Sequence, residues 1–474
     1  MDERLKLILE VPEETQTIEF KRLDGDRVVS KVIETIVAMA NTDGGSIILG
    51  IDDPEKTKFK DLERVFGIEE NKELYDEIVR ESQRITPPVI INLLEFPVEK
   101  TSKTVAIIHV PKATTGFHAI NNQVFVRLKK GNKRLNPAEI IKMNYAKGFE
   151  KADRELVDID FDLLNTTYFN EWRSARNLSG SIESIMLKTG LARRKDGDPK
   201  PARAAALLFA EYPTDLMETK CAIKVMQYTG RIENFQETPN MVGTPKILSG
   251  PLVKLIQDTQ EYVLTLLRAG IEMHAGFITK YLIPERAVKE AITNAVIHRD
   301  YFIKRDIEIK IFEDRVEVDS PGLFSYNITA QNIGYVRADG YRNDLMVKHM
   351  REFPNPPNID QNEGIRAMRN EMAASGLYPP IFITYPVLPD SVKVVLFNEH
   401  MATEWEKVKI YLERNRYITN QIARDITGVV QKDKMYKMLK KWTGQGLLLK
   451  IDPTGSKKDV KYKLLAKDDL NGEE

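Results

Sequence analysis

The pattern of hydrophobic and polar positions over the first 148 residues predicts a mixed α/β region. The stretch SKVIETIVAMANT (30–42) carries apolar residues at helical spacing, which are Val32, Ile33, Ile36, Val37 and Ala40. The run GGSIILGI (44–51) is short, apolar and bounded by glycines, so it predicts a buried strand. Two further apolar runs, TVAIIHVP and NQVFVRLK, predict two more strands.

The pattern changes twice further along the chain. Residues 149–199 are helical and polar, which predicts a helical linker that ends in the loop RRKDGDPKPAR, where we place a domain boundary. Residues 200–398 alternate between predicted strands (AAALLFA, CAIKVMQYTG, DIEIKIFED, RVEVDSPG) and predicted helices (LVKLIQDTQEYVLTLL, PERAVKEAITNAVIHRD). Residues 399–474 predict three short helices and a hairpin, which is the outline of a winged helix-turn-helix. The sequence therefore predicts an α+β multidomain protein.

Composition sets bounds on the class of protein. The chain has 474 residues, of which 42% are hydrophobic and 30% charged, so we expect about three folded domains and no disordered protein. The formal net charge is zero, and a nucleic-acid surface would need local segregation of cations from anions. A single cysteine excludes an intrachain disulfide and a multi-cysteine zinc site. No apolar run is long enough to span a bilayer and no signal peptide is evident, so we expect a cytoplasmic protein without membrane partners.

Two groups of carboxylates are the first candidate site. Glu14 and Glu19 lie five residues apart in EETQTIEFKR, and Asp52 and Asp53 close the strand SIILGIDD. A bend between the two glutamates would turn both toward one point, where carboxylate oxygens suit Mg²⁺ or Mn²⁺. Lys21 and Arg22 would then hold a phosphate backbone. The alternative is that these acids form ordinary ion pairs at the surface.

EETQTIEFKR followed by AMANTDGGSIILGIDD resembles the core domain of Schlafen proteins and their AlbA-like bacterial relatives, over about residues 10–145. The resemblance implies a nuclease that cleaves structured RNA such as tRNA, with Glu14, Glu19 and a strand-end aspartate as metal ligands. Asp53 is the preferred third ligand and Asp52 the second choice, and Lys21 belongs to the same motif. Because the eukaryotic relatives use two such lobes, the resemblance also implies a homodimer.

A run of cations, VRLKKGNKRLN, predicts a second contact with phosphates in this region. It contains five cations and no acid, and the family usually keeps an arginine at the first of them. The alternative is a solvated turn. The cations are Arg127, Lys129, Lys130, Lys133 and Arg134.

Three polar residues recur every four positions on the predicted helix VKEAITNAVIHRDY. Glu290, Asn294 and His298 therefore share one helix face, which indicates a polar ligand or an internal hydrogen-bond network. The helix resembles the N-box of the GHKL (Bergerat) ATPases, and EAITNAVIHRDY with RVEVDSPGLF resembles the RecG-C-terminal-like domain, over about residues 200–395.

This second resemblance implies an ATP site and assigns three more residues to it. They are Asp319 and Gly322 in DSPGL and Gly364 in NEGIRAM. In DSPGL, however, Pro321 and Leu323 stand where the ATPase pattern has glycines, so we expect nucleotide binding more than hydrolysis.

The last helix predicts a nucleic-acid contact of low sequence specificity in the winged helix. Its apolar stripe is Met435, Met438, Leu439 and Trp442, and the opposite side carries Lys434, Lys437 and Lys441. Lys457, Lys458 and Lys461 decorate the predicted wing. The alternative is a protein-interaction domain.

Two functions of different classes follow. The first is a metal-dependent endonuclease, with an endoribonuclease favoured, that acts on structured RNA such as tRNA or on single-stranded nucleic acid. It would be regulated by ATP binding, as in antiviral (phage) defence, with RNA on the core and DNA possible on the winged helix. The second is a non-enzymatic DNA-binding transcriptional regulator whose middle domain senses a ligand or nucleotide.

Overall fold

The chain forms two compact units, Met1–Glu399 and His400–Glu474. The computed structural model describes residues 3–25, 27–99, 101–217, 219–234, 239–272, 278–357, 363–451 and 460–464. Among these described residues, no helix is both long and apolar enough to cross a membrane. The architecture is α+β, as the sequence predicts.

The first region of the larger unit is a four-stranded sheet of order β1-β2-β4-β3 with helices packed against it. β1 and β2 are parallel, and β4 is antiparallel to both β2 and β3. The elements are α1 (Glu3–Leu9), β1 (Ile18–Lys21), α2 (Val28–Ala40), β2 (Gly45–Leu49), α3 (Lys72–Ser82), β3 (Asn92–Pro97), β4 (Thr104–Val110), β5 (Phe125–Leu128), β6 (Gly131–Arg134) and α4 (Pro137–Lys147).

The predicted helix and buried strand are both present here. All five apolar residues predicted for the inner face of α2 are buried against the sheet. A Cβ at Gly45 would lie 2.6 Å from the Thr17 carbonyl oxygen, so only glycine lets β2 enter the sheet beside the turn before β1. The double glycine therefore fixes where β2 starts.

The second region contains a six-stranded sheet of order β10-β9-β13-β14-β16-β15, in which β9 and β13 are the parallel pair. Its helices pack on this sheet over the largest core of the molecule. The elements are α5 (Thr167–Ala175), α6 (Ile182–Thr189), β7 (Ala192–Lys195), β8 (Asp198–Pro201), α7 (Arg203–Phe209), α8 (Pro213–Leu216), β9 (Ile223–Gln227), β10 (Lys246–Leu248), α9 (Leu252–Ala269), β11 (Ile271–Glu272), β12 (Ile278–Thr279), α10 (Glu285–His298), β13 (Ile307–Ile311), β14 (Arg315–Pro321), α11 (Asp344–Met350), α12 (Gly364–Ala374), β15 (Ile381–Ile383) and β16 (Ser391–Phe397).

The structure corrects two predictions in this region. The run AAALLFA, predicted as a strand, belongs to α7, whose Ala204–Phe209 side chains are all buried. A short apolar run has no periodicity that separates strand from helix, and alanine and leucine favour the helix.

The predicted linker 149–199 is part of the core. Phe169 and Trp172 of α5 are fully buried, and their rings contact Phe209 at centroid distances of 5.4 and 5.2 Å. The predicted boundary loop is the β7–β8 hairpin.

The two regions contact each other directly within the larger unit. Lys112, just after β4, donates hydrogen bonds to the backbone oxygens of Phe324 (3.1 Å) and Ile328 (2.5 Å). Arg342 donates to the carbonyl oxygens of Tyr145 (2.9 Å) and Ala146 (2.6 Å) at the end of α4. The larger unit is therefore one folded body built from two sheets.

Within residues 400–451 and 460–464, the smaller unit shows three helices and a three-stranded sheet of order β17-β19-β18. The stripe predicted for α15 packs inward, with Met435, Leu439 and Trp442 buried, while Lys434, Lys437 and Lys441 are exposed. Lys457 and Lys458 lie outside the described residues. The winged-helix assignment stays a prediction. The elements are α13 (Glu404–Arg414), β17 (Ile418–Thr419), α14 (Asn420–Thr427), α15 (Lys432–Gly444), β18 (Leu448–Ile451) and β19 (Lys461–Leu464).

Candidate functional site

A tight turn before β1 brings Glu14 back over the strand. The Thr15 hydroxyl accepts hydrogen bonds from the backbone N–H groups of Thr17 (3.2 Å) and Ile18 (3.1 Å). Glu14 Oε1 then accepts the N–H of Phe20 at 3.0 Å. The bend between the two glutamates therefore exists, and it places Glu14 beside Glu19 although they are five residues apart.

A second glycine contact fixes Asp53 at the same edge of the sheet. Gly50 ends β2 with a φ of +86°, and a Cβ there would lie 2.7 Å from the carbonyl carbon of Gly67. The Gly50 oxygen accepts the N–H groups of Phe66 and Gly67 at 2.8 and 2.9 Å, which holds the chain in that turn. Asp53 follows three residues later.

Glu14, Glu19 and Asp53 form one buried group, which we call the carboxylate cluster. Their exposed fractions are 4%, 5% and 7%. Asp52 lies outside it: its backbone oxygen accepts from Arg64 Nη2 at 2.9 Å, and the neighbouring acids whose charges act on Glu14 are Glu19 and Asp53. Neighbouring residues of an extended segment point to opposite sides, so only one of the two aspartates can join the cluster.

Three cations bind the carboxylate cluster from within the chain. Lys21 pairs with Glu19 and lies 3.6 Å from Glu14 Oε1. Lys56 pairs with Asp53 at 2.5 Å and lies 3.8 Å from Glu14 Oε2. Arg127, on β5, pairs with Glu19. Each carboxylate therefore has at least one cationic partner.

The electrostatics of the cluster separate Glu14 from Asp53. Burial, followed by the neighbouring Glu19 charge, raises the pKa of Glu14. Burial also pushes the pKa of Asp53 up, but hydrogen bonds from Lys56 and from the Glu55 N–H outweigh it, so the pKa of Asp53 is lowered. Two neighbouring carboxyls with pKa values shifted in opposite directions are typical of sites that transfer protons.

The predicted divalent metal does not fit the cluster as it is arranged. The three carboxylates are hard oxygen donors of the right type, but the ammonium and guanidinium groups of Lys21, Lys56 and Arg127 engage their oxygens. In the part of the chain that the structure describes, no group of three His, Cys, Asp or Glu side chains could hold a metal ion.

The structure corrects the role predicted for Arg127 as a phosphate contact. Its side chain is 1% exposed, and it donates to Glu19 and, at 2.9 Å, to Asn132 Oδ1. Its guanidinium group is engaged by Glu19 and Asn132 and is therefore not available to a phosphate. Arg127 holds Glu19 in position.

Acids already pair with other predicted phosphate contacts. Arg22 binds Glu70 at 2.6–3.0 Å and covers the Phe66 ring at 3.5 Å. Lys133 binds Glu139 at 2.7 Å. Lys130 binds Glu13, and also Glu55 at 2.7 Å. Lys129 and Arg134 are exposed and form no ion pair with a described residue.

The second candidate site is a cavity of about 510 Å³ in the second region. The polar face of α10 forms one wall, and the end of β14, the loop 333–341 and the start of α12 form the others. The structure brings together five of the six residues predicted to bind nucleotide, which are Glu290, Asn294, His298, Gly322 and Gly364.

Close backbone approaches shape this cavity. A Cβ at Gly364 would collide with the Glu290 carboxylate, so a larger residue there would displace that side chain from its place on the cavity wall. A Cβ at Gly322 would lie 2.8 Å from Arg342 Nη1. His298 stacks on Tyr341 with centroids 5.6 Å apart, and burial followed by the Arg342 charge lowers the pKa of His298 to about 4. His298 is therefore neutral at physiological pH.

The structure corrects the assignment of Asp319, which does not line the cavity. Along β14, Val318 and Ser320 face α10, and the Ser320 hydroxyl donates to the Ala295 oxygen at 2.7 Å. Because side chains alternate along a strand, Asp319 points to the other face, where Arg305 lies 3.9 Å away.

Comparison with protein families identifies the first region. Residues 14–136 match the family described as "Schlafen, AlbA_2". This region is a Schlafen AlbA_2 domain. Residues 304–396 match the family described as "Putative ATP-dependent DNA helicase recG C-terminal", which covers the strands behind the cavity. The resemblance to the Schlafen core is thereby confirmed over 14–136, and the resemblance to the RecG C-terminal domain over 304–396.

Comparisons over the whole chain add little. No curated protein matches the sequence. Among solved structures, the crystal structure of the DIP2311 protein from Corynebacterium diphtheriae is 17% identical, and the match covers 97% of this chain and 81% of that one. The TM-score of this match is 0.37, which does not establish a common fold.

Sequence reasoning missed Lys56, which the structure places against two members of the carboxylate cluster. A signal was present, because the segment KTKFK (56–60), directly after the strand-end aspartates of the Schlafen AlbA_2 domain, alternates lysine with Thr57 and Phe59. Basic residues interleaved with an aromatic are typical of nucleic-acid contacts.

Proposed function

We propose that this protein binds nucleic acid at its Schlafen AlbA_2 domain and cleaves it at the carboxylate cluster, with structured RNA such as tRNA as the favoured substrate. The observation that carries the proposal is the convergence of Glu14, Glu19 and Asp53, from two separate chain segments, on one edge of the sheet. Burial of three carboxylates is costly unless a function retains them.

The side chains present suit the chemistry of phosphodiester cleavage. Glu14, whose pKa is raised, serves as the base that takes the proton from the attacking hydroxyl or water. The oxygen so formed attacks phosphorus, and the bond from phosphorus to the leaving oxygen breaks. Lys21 and Lys56 stabilise the negative charge that grows on the phosphate. Because Mg²⁺ or Mn²⁺ does not fit the carboxylates as they are arranged, no step of this proposal is assigned to a metal, and the assay below compares Mn²⁺ with EDTA.

The cavity of the RecG-like region is the proposed nucleotide site. Glu290, Asn294 and His298 line one wall, and the volume of about 510 Å³ lies in the range of small-molecule sites. The aromatic and aliphatic walls suit a base, and the polar face of α10 suits phosphates and their cation. ATP binding is proposed on this ground, and hydrolysis is not part of the proposal.

One assay tests the nuclease proposal. Purified protein is incubated with total tRNA and with duplex DNA, in Mn²⁺ or in EDTA, beside the variants Glu19→Ala and Asp53→Asn. We expect RNA cleavage that both variants lose. Because Glu19→Ala removes the partner of a buried arginine, Asp53→Asn with a normal unfolding curve is the decisive variant. Cleavage by folded Asp53→Asn at the wild-type rate would contradict the proposal.

A DNA-binding regulator is the second candidate. The exposed lysines on one side of α15 favour it, since Lys434, Lys437 and Lys441 would meet a phosphate backbone. Retardation of duplex DNA without cleavage, lost in the triple Lys→Ala variant, would support this function. Retention of the shift in that variant would exclude the helix as the contact.

A further inference from the structure

The segment Lys56–Lys60 is an exposed strip directly beside the carboxylate cluster. Its first residue, Lys56, is 75% exposed along its side chain, although its ammonium group reaches Asp53 and Glu14. Lys58 and Lys60 are exposed, and neither forms an ion pair with a residue that the structure describes. Lys58 and Lys60 therefore offer positive charge that is not taken up by an ion pair with a described residue.

An exposed aromatic ring lies in the middle of this strip. Phe59 is 46% exposed, so a large part of its ring is open to solvent. A hydrogen bond from its N–H to the Thr57 hydroxyl, at 3.2 Å, fixes the local turn. The position of the ring is thus defined by the chain and leaves nearly half its surface open.

Other rings and cations support Phe59 from behind. It packs edge-on against Phe66 with centroids 5.6 Å apart and an interplanar angle of 69°. Phe66 is in turn covered by Arg22 at 3.5 Å and approached by Lys103 at 5.6 Å. A supported ring loses little freedom when a ligand stacks on it, which favours binding.

The acids around the strip do not cancel its charge. Glu55 precedes it and is already paired with Lys130 at 2.7 Å. Asp61 and Glu63 follow it on a short helical turn, where the buried Arg64 feels the charge of Asp61. From Lys56 to Lys60 there are three lysines, one aromatic and no acid.

We propose that Lys56–Lys60 is the binding strip for an unpaired stretch of nucleic acid, with one base stacked on Phe59 and the backbone on Lys58 and Lys60. This inference rests on the proposed function and specifies its substrate: a single-stranded segment or loop, because only an unstacked base can offer its face to a ring. Lys56 lies at the end of the strip that is next to the carboxylate cluster, so the bound nucleic acid would run from Lys60 past Lys56 toward Glu14 and Asp53.

The test is fluorescence anisotropy of a labelled, unstructured single-stranded RNA and of the same sequence as a duplex, with the full-length chain and Phe59→Ala. Stacking on an aromatic contributes about 1–3 kcal/mol per base, so we expect about a 5- to 100-fold weaker single-strand affinity. Duplex affinity should stay the same. Tyr212→Ala, another exposed aromatic (64%) that lies in the second region, is the matched control and should bind as the wild type does.

The possible results separate this inference from the function on which it rests. If the wild type binds neither RNA, both the proposed function and the strip are wrong. If the wild type binds but Phe59→Ala binds equally well, the strip alone is wrong. A second readout is photocrosslinking of RNA that contains 4-thiouridine: crosslinks at Phe59 support the strip, and crosslinks confined to other segments contradict it.

Discussion

The carboxylate cluster and the cavity of the RecG-like region both place acidic side chains at the end of a sheet, but they differ in what surrounds the acids. Lysine and arginine side chains of the chain itself pair with the carboxylates of the cluster. Glu290 lies on the wall of a space of about 510 Å³. Cations of the chain therefore hold the carboxylates of the cluster in place, whereas the cavity has room for a small-molecule ligand.

Substitutions in the two places should therefore affect different properties of the protein. A substitution in the cluster leaves a buried charge without its partner and should cost folding free energy. A substitution on the cavity wall should change ligand affinity more than stability. The predictions below follow from that contrast, from the largest expected effect to the smallest.

Glu19→Gln should destabilise the larger unit by about 3–5 kcal/mol, since Arg127, 1% exposed, loses its charged partner and Lys21 keeps only Glu14, at 3.6 Å. Urea unfolding followed by circular dichroism measures the loss. An unfolding free energy within about 0.5 kcal/mol of the wild type would mean that these charges are hydrated in solution, and the contrast would fail.

Gly364→Ala should weaken binding of ATP with Mg²⁺ by at least about tenfold, because the new Cβ would collide with the Glu290 carboxylate. Isothermal titration of the full chain measures the affinity. Gly116→Ala, where no atom lies within 4 Å of the added Cβ, is the control and should bind normally. Equal affinities for both variants would remove Glu290 and Gly364 from the nucleotide site.

His298 should make stability fall as the pH drops from about 6.5 to about 4. Burial and the Arg342 charge lower the pKa of His298 to about 4 in the folded state, so the unfolded chain binds the proton first. The shift from 6.5 to about 4 corresponds to a loss of about 3 kcal/mol, and His298→Gln should reduce the slope of unfolding free energy against pH. The exposed His109→Gln is the control. An unchanged slope in His298→Gln would show that other groups cause the effect.

Glu13→Gln should change the unfolding free energy by less than about 0.5 kcal/mol. Its partner Lys130 is an exposed residue and keeps its second partner, Glu55. Like Glu19→Gln, this variant removes the charge of a glutamate that pairs with a cation, but here the pair is exposed. A loss as large as that of Glu19→Gln would erase the distinction between buried and exposed pairs.

Local sequence predicted what local forces determine. The apolar spacing of α2, the glycines before β2 and the alternation of β13 and β14 all gave the correct elements, because burial and backbone conformation act over a few residues. The Glu14–Glu19–Asp53 group was expected only through the motif. Its geometry depends on the Thr15 turn and on the contact between Gly50 and Gly67. The spacing of residues along the sequence predicts neither of these contacts.

The sequence did not predict features that depend on contacts between distant parts of the chain. Arg127 was taken for a surface cation because its neighbours are cations, but its partner Glu19 is 108 residues away in sequence. Asp319 was assigned through a motif, whereas the register of β14 decides which face it occupies. Phe59 and Lys56 went unnoticed since neither belongs to a motif, and only the fold shows that the strip adjoins the cluster.

The most direct test of the central claim, that nucleic acid meets the Schlafen AlbA_2 domain beside the carboxylate cluster, is the salt dependence of single-stranded RNA binding. Two double variants are compared with the wild type: Lys58→Ala with Lys60→Ala, and Lys130→Ala with Lys133→Ala. The account predicts that the first pair lowers the slope of log affinity against log salt by about 1.4, because two phosphate contacts are lost, and that the second pair leaves it nearly unchanged. A slope unchanged by the first pair and lowered by the second would contradict the claim.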